Sequence, residues 1–156
     1  MNDYKGAIAD YTNALEIDPG NVLLLTMKGK AYRVLDDIHN AIVCFKLAQK
    51  SSPTDMWITL NLGYAYLAQK DYPLASQQFN RCLKVEPNFI SAILGYALIY
   101  YYTHDLVTAR KWIDHSKEVK PLLKEGVRGY KILKKQGWYF FEADDKALTE
   151  MFRTFK

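Results

Sequence analysis

Apolar residues recur along most of the chain at the three- and four-residue spacing of an amphipathic helix. In residues 3–19 this spacing joins four apolar side chains into one stripe, namely Ile8, Tyr11, Ala14 and Leu15. The pattern is interrupted at equal intervals of 34 residues by Pro19, Pro53, Pro87 and Pro121. Because proline lacks an N–H and disfavours helical geometry in the residue before it, each proline is expected to end a helix.

Two further residue classes keep the same period. An alanine lies twelve residues before each proline, at Ala7, Ala41, Ala75 and Ala109. A large apolar residue lies eight residues before each proline, at Tyr11, Phe45, Phe79 and Ile113. Small residues let two helices approach, and large residues fill the space beside them. Self-similarity at one fixed period is typical of stacked repeats, in which a single unit cannot bury its own apolar face.

These registers resemble the tetratricopeptide repeat, whose first helix carries a Leu-Gly pair and a Tyr and whose second carries Ala, Phe, Ala and Pro. In residues 56–89 the matching positions are Leu62, Gly63, Tyr66, Ala75, Phe79, Cys82 and Pro87. In residues 22–55 they are Leu25, Gly29, Tyr32, Ala41, Phe45, Ala48 and Pro53. Residues 90–123 match more loosely, at Ile93, Ala97, Tyr100, Ala109, Ile113, Ser116 and Pro121. The resemblance implies an all-α fold, a right-handed superhelical solenoid of antiparallel helix pairs with about three full repeats.

We expect one domain over residues 1–156, with partial units at both ends. The full repeats are expected at residues 22–55, 56–89 and 90–123. Residues 1–21 have the pattern of a second helix without its partner, which indicates either a truncated repeat or a surface for self-association as a homo-oligomer. Residues 124–156 are expected to form a degenerate C-terminal capping repeat.

The two helices expected near the C-terminus are less regular than the others. The first covers residues 122–136 and is expected to end at Gly137. An aromatic run at residues 138–141 follows it. The last helix is expected to begin near Asp144 or Asp145. One face of that helix is expected to carry Leu148, Met151, Phe152 and Phe155.

Composition agrees with a soluble helical domain, since 49% of the residues are hydrophobic and 24% are charged. No apolar stretch approaches the roughly 20 residues of a membrane span, and the N-terminus lacks a signal-peptide pattern, which leaves open a targeting segment upstream of these residues. Cys44 and Cys82 fall in second helices of different repeats. Both are expected to be reduced core residues, and on this ground we expect a cytoplasmic protein.

The sequence contains no catalytic or metal-binding constellation. The three histidines do not cluster in the sequence: His39 lies in the repeat of residues 22–55, and His104 and His115 lie near the turn and in the second helix of residues 90–123. There is no HExxH or CxxC motif and no glycine-rich loop of the kind that cradles phosphate. Two pairs of aspartates occur in turn-like segments, at Asp36–Asp37 and Asp144–Asp145. Carboxylates in such segments cap helices more often than they act as acid-base catalysts. We therefore expect no enzymatic activity, no cofactor and no metal site.

The resemblance implies that the chain binds another protein or a peptide. First helices of this family line a concave groove. The equivalent positions here are Met27, Lys30, Arg33, Trp57, Leu60, Asn61, Tyr64, Leu67, Leu94, Leu98, Tyr101, Tyr102, Arg128, Ile132 and Lys135. Tyr64 and Tyr101 are expected to face solvent and to carry binding energy, because Tyr offers a large rigid contact area with a polar tip. Tyr66 and Tyr100, at the packing position, are expected in the core.

One well-known use of this fold is a clamp of Lys and Asn side chains that holds the C-terminal carboxylates of chaperones. Asn61 occupies the position of the middle-helix Asn. The other positions depart from the clamp, because they hold Thr26, Lys30, Ser91 and Gly95. A chaperone tail is therefore not the expected partner, and an extended or helical segment with apolar anchors and acidic flanks fits better.

A second candidate surface is the basic segment of residues 117–135, where seven basic residues stand against two acidic ones. Its basic patch consists of Lys124, Arg128, Lys131, Lys134 and Lys135. A basic run is usually a solvated helix face, but this spacing also suits phosphates or an acidic partner. Three functions stay open: a peptide-binding adaptor, a self-associating scaffold and, least favoured, a binder of nucleic acid or of an acidic surface.

Overall fold

The computed structural model describes residues 3–135 and 142–155, and every regular element over these residues is helical. The α-helices are α1 (Tyr4–Ile17), α2 (Val22–Val34), α3 (Ile38–Ser51), α4 (Met56–Ala68), α5 (Tyr72–Val85), α6 (Ile90–Tyr102), α7 (Leu106–Val119), α8 (Val127–Lys135) and α9 (Glu142–Thr154). A short 3₁₀ helix, Pro121–Glu125, precedes α8.

The helix boundaries repeat with the period of the sequence. First helices begin at Val22, Met56 and Ile90, and second helices begin at Ile38, Tyr72 and Leu106, so both series advance by 34 residues. The helices that precede the four prolines end at Ile17, Ser51, Val85 and Val119, each two residues before its proline. The predicted role of the prolines as helix stops is therefore confirmed.

The turn inside each helix pair also repeats. The residue two positions before the second helix has a positive φ, 60° at Asp36, 64° at Lys70 and 62° at His104. The next residue is an aspartate that caps the second helix, as when the Asp37 carboxylate accepts a hydrogen bond from the backbone N–H of Asn40 at 3.2 Å. The predicted capping role thus holds for Asp37, whereas Asp36 occupies the left-handed turn position.

The structure divides into two compact units, unit 1 (Met1–Gln78) and unit 2 (Phe79–Lys156). In unit 1, α2 packs against α3, and Leu25, Ala48 and Ile58 form a core cluster. Leu15 of α1 packs against that cluster, as the apolar stripe of the first helix predicts. A methyl group added at Gly29 would lie 2.7 Å from the Phe45 ring, so this glycine permits the close approach of α2 and α3.

Unit 2 contains α6 to α9. Its Phe79 ring fills the space beside Gly95, where an added methyl group would lie 2.5 Å from the ring. Tyr96 of α6 stacks on Trp112 of α7 with ring centroids 4.6 Å apart. The last helix, α9, packs against α6, α7 and α8, and its predicted apolar face is buried at Leu148, Met151, Phe152 and Phe155.

The prediction of one helix over residues 122–136 is wrong in its first part. Residues Pro121–Glu125 form the 3₁₀ helix, and α8 begins only at Val127. Gly126 between them has a φ of 65°, a left-handed conformation that interrupts an α-helix. The predicted stop at Gly137 and the aromatic run lie outside the described residues. The last helix begins at Glu142, slightly before the predicted start.

Both cysteines are free and buried, as predicted. Burial raises the pKa of the Cys82 thiol to about 12, which keeps it protonated. No helix within residues 3–135 and 142–155 is long and apolar enough to cross a membrane. Over the same residues, no group of three or more His, Cys, Asp and Glu side chains is placed to hold a metal ion.

Candidate functional site

The first helix of unit 1, α2, presents an exposed apolar face. Leu23 is 69% exposed and Met27 is 39% exposed, and their four-residue spacing places them on one side of the helix. Lys30 and Arg33, the two predicted cations of this helix, are half-buried. Of the three binding residues predicted on this helix, Met27 is thus exposed, and Lys30 and Arg33 are partly accessible.

Leu23 was missed in the sequence analysis, although a signal was present. It stands 34 residues before Trp57, so the two residues occupy the same position in consecutive repeats. Trp57 is 58% exposed. The Asp55 carboxylate caps α4 by accepting hydrogen bonds from the backbone N–H groups of Trp57 and Ile58, at 2.8 and 3.1 Å, which holds Trp57 in the first turn.

Asn61 lies one turn after Trp57. Its side-chain amide donates a hydrogen bond to the Trp57 carbonyl oxygen at 2.7 Å. The amide is therefore engaged within its own helix. Two further clamp positions are enclosed, since Ser91 is buried and Gly95 packs against Phe79. The expectation that the chain does not bind a chaperone tail stays a prediction.

The prediction that Tyr64 faces solvent is wrong, because Tyr64 is only 1% exposed. Leu60 and Leu67 of the same helix are also buried, so these three predicted groove residues are not accessible in this structure. The physical reason is visible in the composition of α4, which has no charged residue and is apolar around its circumference. Such a helix is buried over most of its surface, and in α4 Trp57 of the first turn is the large apolar side chain that stays exposed.

The first helix of the third repeat, α6, behaves in the same way. It also has no charged residue, and Leu94 and Leu98 are fully buried, contrary to their predicted groove role. Tyr101 and Tyr102 are half-buried, and their rings meet edge to face at 5.9 Å. The core prediction is confirmed for Tyr66, which is buried.

Tyr102 is engaged in holding α9. Its hydroxyl donates a hydrogen bond to the Asp144 carboxylate at 3.0 Å. The Tyr130 hydroxyl likewise donates to Asp145 at 2.7 Å. The predicted capping role of this acidic pair is therefore wrong, because both residues lie inside α9 and anchor it to α6 and α8.

The charges and hydrogen bonds around the contact between Tyr130 and Asp145 favour the ionised form of the Asp145 carboxylate. Lys134 lies 3.0 Å from Asp145. Burial raises the pKa of Asp145, but hydrogen bonds from Tyr130 and Lys134 outweigh it and bring the pKa below its ordinary value. Burial, together with the Asp145 hydrogen bond, raises the pKa of Tyr130, so the phenol remains a donor. The Tyr130 ring also stacks on Phe152, with centroids 5.5 Å apart.

The predicted basic patch divides into two sets. Lys134 turns to Asp145 of α9, whereas Lys124, Arg128, Lys131 and Lys135 are exposed. An open cavity of about 410 Å³ lies against α8. Among the described residues it is lined by Val127, Arg128, Lys131, Ile132 and Lys135. This arrangement joins cations and apolar side chains on one helix face within unit 2.

Solved structures of two other proteins have the same fold. The crystal structure of MamA matches 98% of this chain and 84% of its own, with a TM-score of 0.72 and 22% sequence identity. The first TPR domain of Spaghetti, bound to the HSP90 peptide SRMEEVD, matches 73% of this chain and 88% of its own, with a TM-score of 0.61 and 20% identity. The fold is thus an all-α solenoid of helix pairs.

Sequence comparison identifies the family. Residues 23–55 and 60–89 match the model of the tetratricopeptide repeat, so these two segments of the chain are repeats of this family. Tetratricopeptide repeat protein 12 of Homo sapiens is 28% identical to it over 94 residues. That match covers 60% of this chain but only 13% of the human protein, so the chain spans a small part of the length of this relative.

Proposed function

We propose that this chain is a non-catalytic protein-interaction module that binds a peptide or protein segment through the exposed apolar face of its first helices in unit 1. The observation that carries the proposal is the exposure of Leu23, Met27 and Trp57. Most large apolar residues of α4 and α6 are buried, whereas the side chains of Leu23, Met27 and Trp57 are accessible to a ligand. Exposed Trp and Met side chains are typical of binding surfaces.

The chemistry of α2 indicates what segment the surface accepts. This helix contains three basic residues and no acidic one. Apolar side chains of a ligand would contact Leu23, Met27 and Trp57, and acidic flanks would favour the neighbourhood of Lys30 and Arg33. The peptide-bound structure of the Spaghetti domain supports peptide recognition by this fold. The engaged Asn61 amide argues for a different recognition mode from a carboxylate clamp.

Selection of peptides from a random displayed library on the immobilised chain supplies purified ligands for a direct test. Trp57→Ala is expected to raise the dissociation constant of a selected peptide about tenfold or more, because an aromatic anchor in an interface contributes roughly 2 kcal/mol. Met27→Ala and Leu23→Ala are expected to raise it by smaller factors. Isothermal titration calorimetry measures each affinity.

Leu47→Ala is the matched control, since Leu47 is also large, apolar and about half exposed but lies on the second helix α3. It is expected to leave peptide affinity unchanged. All four variants remove exposed side chains and are expected to change the free energy of unfolding by about 0.5 kcal/mol or less. Peptides whose affinity is insensitive to Trp57→Ala combined with Met27→Ala would falsify the proposal.

A further inference from the structure

The face of α8 that lines the cavity is separate from the surface proposed in unit 1. Val127, Arg128, Lys131, Ile132 and Lys135 are related by steps of one, three and four residues, so they share one side of the helix. We call this set the α8 face. The opposite side of the helix buries Tyr130 and Leu133 within unit 2. Packing therefore fixes which side chains of α8 are presented outward.

The α8 face is positively charged. Within the described residues, Lys131 and Lys135 have no ion-pair partner closer than 4.0 Å. Arg128 lies 3.6 Å from Glu125, but its side chain is 83% exposed, and such surface pairs are weak. Since residues 117–135 hold seven basic residues against two acidic ones, the local field attracts anions.

The α8 face is also partly apolar. Val127 and Ile132 are half-buried and lie between the cations. The aliphatic stems of Lys131 and Lys135 extend this apolar surface. A ligand that satisfies the whole face must combine negative charge with an apolar side chain.

That combination decides between two classes of ligand. Single-stranded nucleic acid binds through phosphate contacts and base stacking on aromatic side chains. Between the cations, the lining that the structure describes is aliphatic, and a phosphate backbone would leave Val127 and Ile132 unused. An acidic protein segment with an apolar residue uses both parts of the face. From Arg128 to Lys135 the helix rises about 10 Å, which a few residues of ligand can span.

We propose that the α8 face is a docking site for an acidic protein segment that places one apolar side chain in the cavity between Arg128, Lys131 and Lys135. The proposal does not depend on the function proposed for unit 1. The two surfaces lie in different units and share no residue.

The test uses the full chain and three fluorescein-labelled probes. The first is a short peptide of glutamates around one central leucine, the second has serine in place of the leucine, and the third is an oligouridine of similar length. Fluorescence anisotropy measures binding. The leucine peptide is expected to bind most tightly at low ionic strength and to lose its affinity at about 1 M salt, where the Debye length is about 3 Å.

Two variants separate the charged and apolar contributions. Lys131→Gln with Lys135→Gln is expected to weaken binding of the leucine peptide about fivefold or more. Ile132→Ser is expected to abolish the preference for leucine over serine. Both alter exposed or half-buried positions, and circular dichroism checks that each variant keeps its helical content.

The matched control is Lys84→Gln with Lys111→Gln, which removes the same charge from exposed sites of unit 2 on other helices, α5 and α7. It is expected to weaken binding much less than the α8 pair, and Trp57→Ala is expected to leave binding unchanged. Equal effects of the two lysine pairs would overturn the proposal, since they would indicate attraction by net charge alone. Equal binding of the serine peptide, or tighter binding of oligouridine, would overturn it too.

Discussion

Three residues hold the same unusual backbone conformation at the turn within each helix pair. Asp36, Lys70 and His104 all have φ near +60°, although their side chains share no chemistry. An L-residue in this conformation costs roughly 1–2 kcal/mol, because its Cβ approaches the neighbouring carbonyl oxygen. The repeat geometry imposes the conformation whatever the residue. Glycine would remove the clash at the cost of greater chain entropy in the unfolded state.

Lys70→Gly is therefore expected to stabilise the protein, by about 0.5 kcal/mol after the entropy of glycine is offset. Urea denaturation followed by circular dichroism measures the free energy of unfolding. Lys46→Gly is the control, because Lys46 is an exposed residue in the interior of α3. There glycine should destabilise by about 1 kcal/mol. A loss of stability at Lys70 equal to that at Lys46 would contradict the strain argument.

Burial of Tyr64 was predictable from information already in the sequence. The family position alone places it in a groove, but neither α4 nor α6 contains a charged residue. In contrast, α2 has Lys28, Lys30 and Arg33, and its face with Leu23 and Met27 is exposed. Charge content of the individual helix separates these cases better than the repeat register does. Position in a repeat predicts which side of a helix faces the groove, and the composition of that helix decides whether this side is exposed to solvent.

At the scale of elements, docking of α9 lay beyond sequence reasoning. Its polar anchors join Tyr102 to Asp144 and Tyr130 to Asp145, and Lys117 donates to the Phe155 carbonyl oxygen at 2.6 Å. None of these separations follows the 34-residue period. The apolar face of α9 was predictable from helical spacing, but its polar partners depend on tertiary geometry alone.

Asp145 should make the stability of unit 2 depend on pH. Its folded-state pKa is lowered, so its contribution is present above the unfolded pKa of about 3.9 and is lost as pH falls through the folded value. Asp145→Asn is expected to cost roughly 1 kcal/mol at pH 7, a modest value because the side chain is 35% exposed and solvent screens the charge. Urea denaturation at a series of pH values measures this difference.

The difference between wild type and Asp145→Asn is expected to shrink as pH falls from about 4 through the lowered folded-state pKa, because the Asp145 carboxyl takes up a proton first in the unfolded state and then in the folded state. Tyr130→Phe removes the hydrogen bond that the phenol donates to Asp145. It is expected to reduce the pH dependence of the free energy of unfolding at acid pH, as Asp145→Asn does. If wild type and Asp145→Asn differ by a constant amount from neutral to acid pH, the charge of Asp145 does not anchor α9.

At the scale of the whole molecule, the repeats were predictable and the two units were not. The 34-residue period located the six helices of the full repeats, because proline stops and small packing residues act locally. The unit boundary lies between Gln78 and Phe79, inside α5, where no change of composition marks it. Compactness depends on the density of tertiary contacts, which a periodic sequence does not reveal.

Each unit has a buried aromatic residue whose removal should report on cooperativity. Phe45 of unit 1 and Phe152 of unit 2 are both almost fully buried. Truncation of either to alanine leaves a cavity and is expected to cost about 3–5 kcal/mol. Since repeats contact mainly their neighbours, the loss should remain largely within the unit that carries the substitution. Hydrogen exchange measured by mass spectrometry resolves the protection of backbone amides in each unit.

Phe45→Ala is expected to lower amide protection mainly in α2 and α3, and Phe152→Ala mainly in α8 and α9. The two variants act as controls for each other, because both remove the same side chain from a buried site. Locally confined loss means that unit 1 and unit 2 open separately, and each can then present its own binding surface while the other is unfolded. Equal loss throughout α2 to α9 in both variants would instead require one cooperative folding unit, in which destabilising either surface destroys the other.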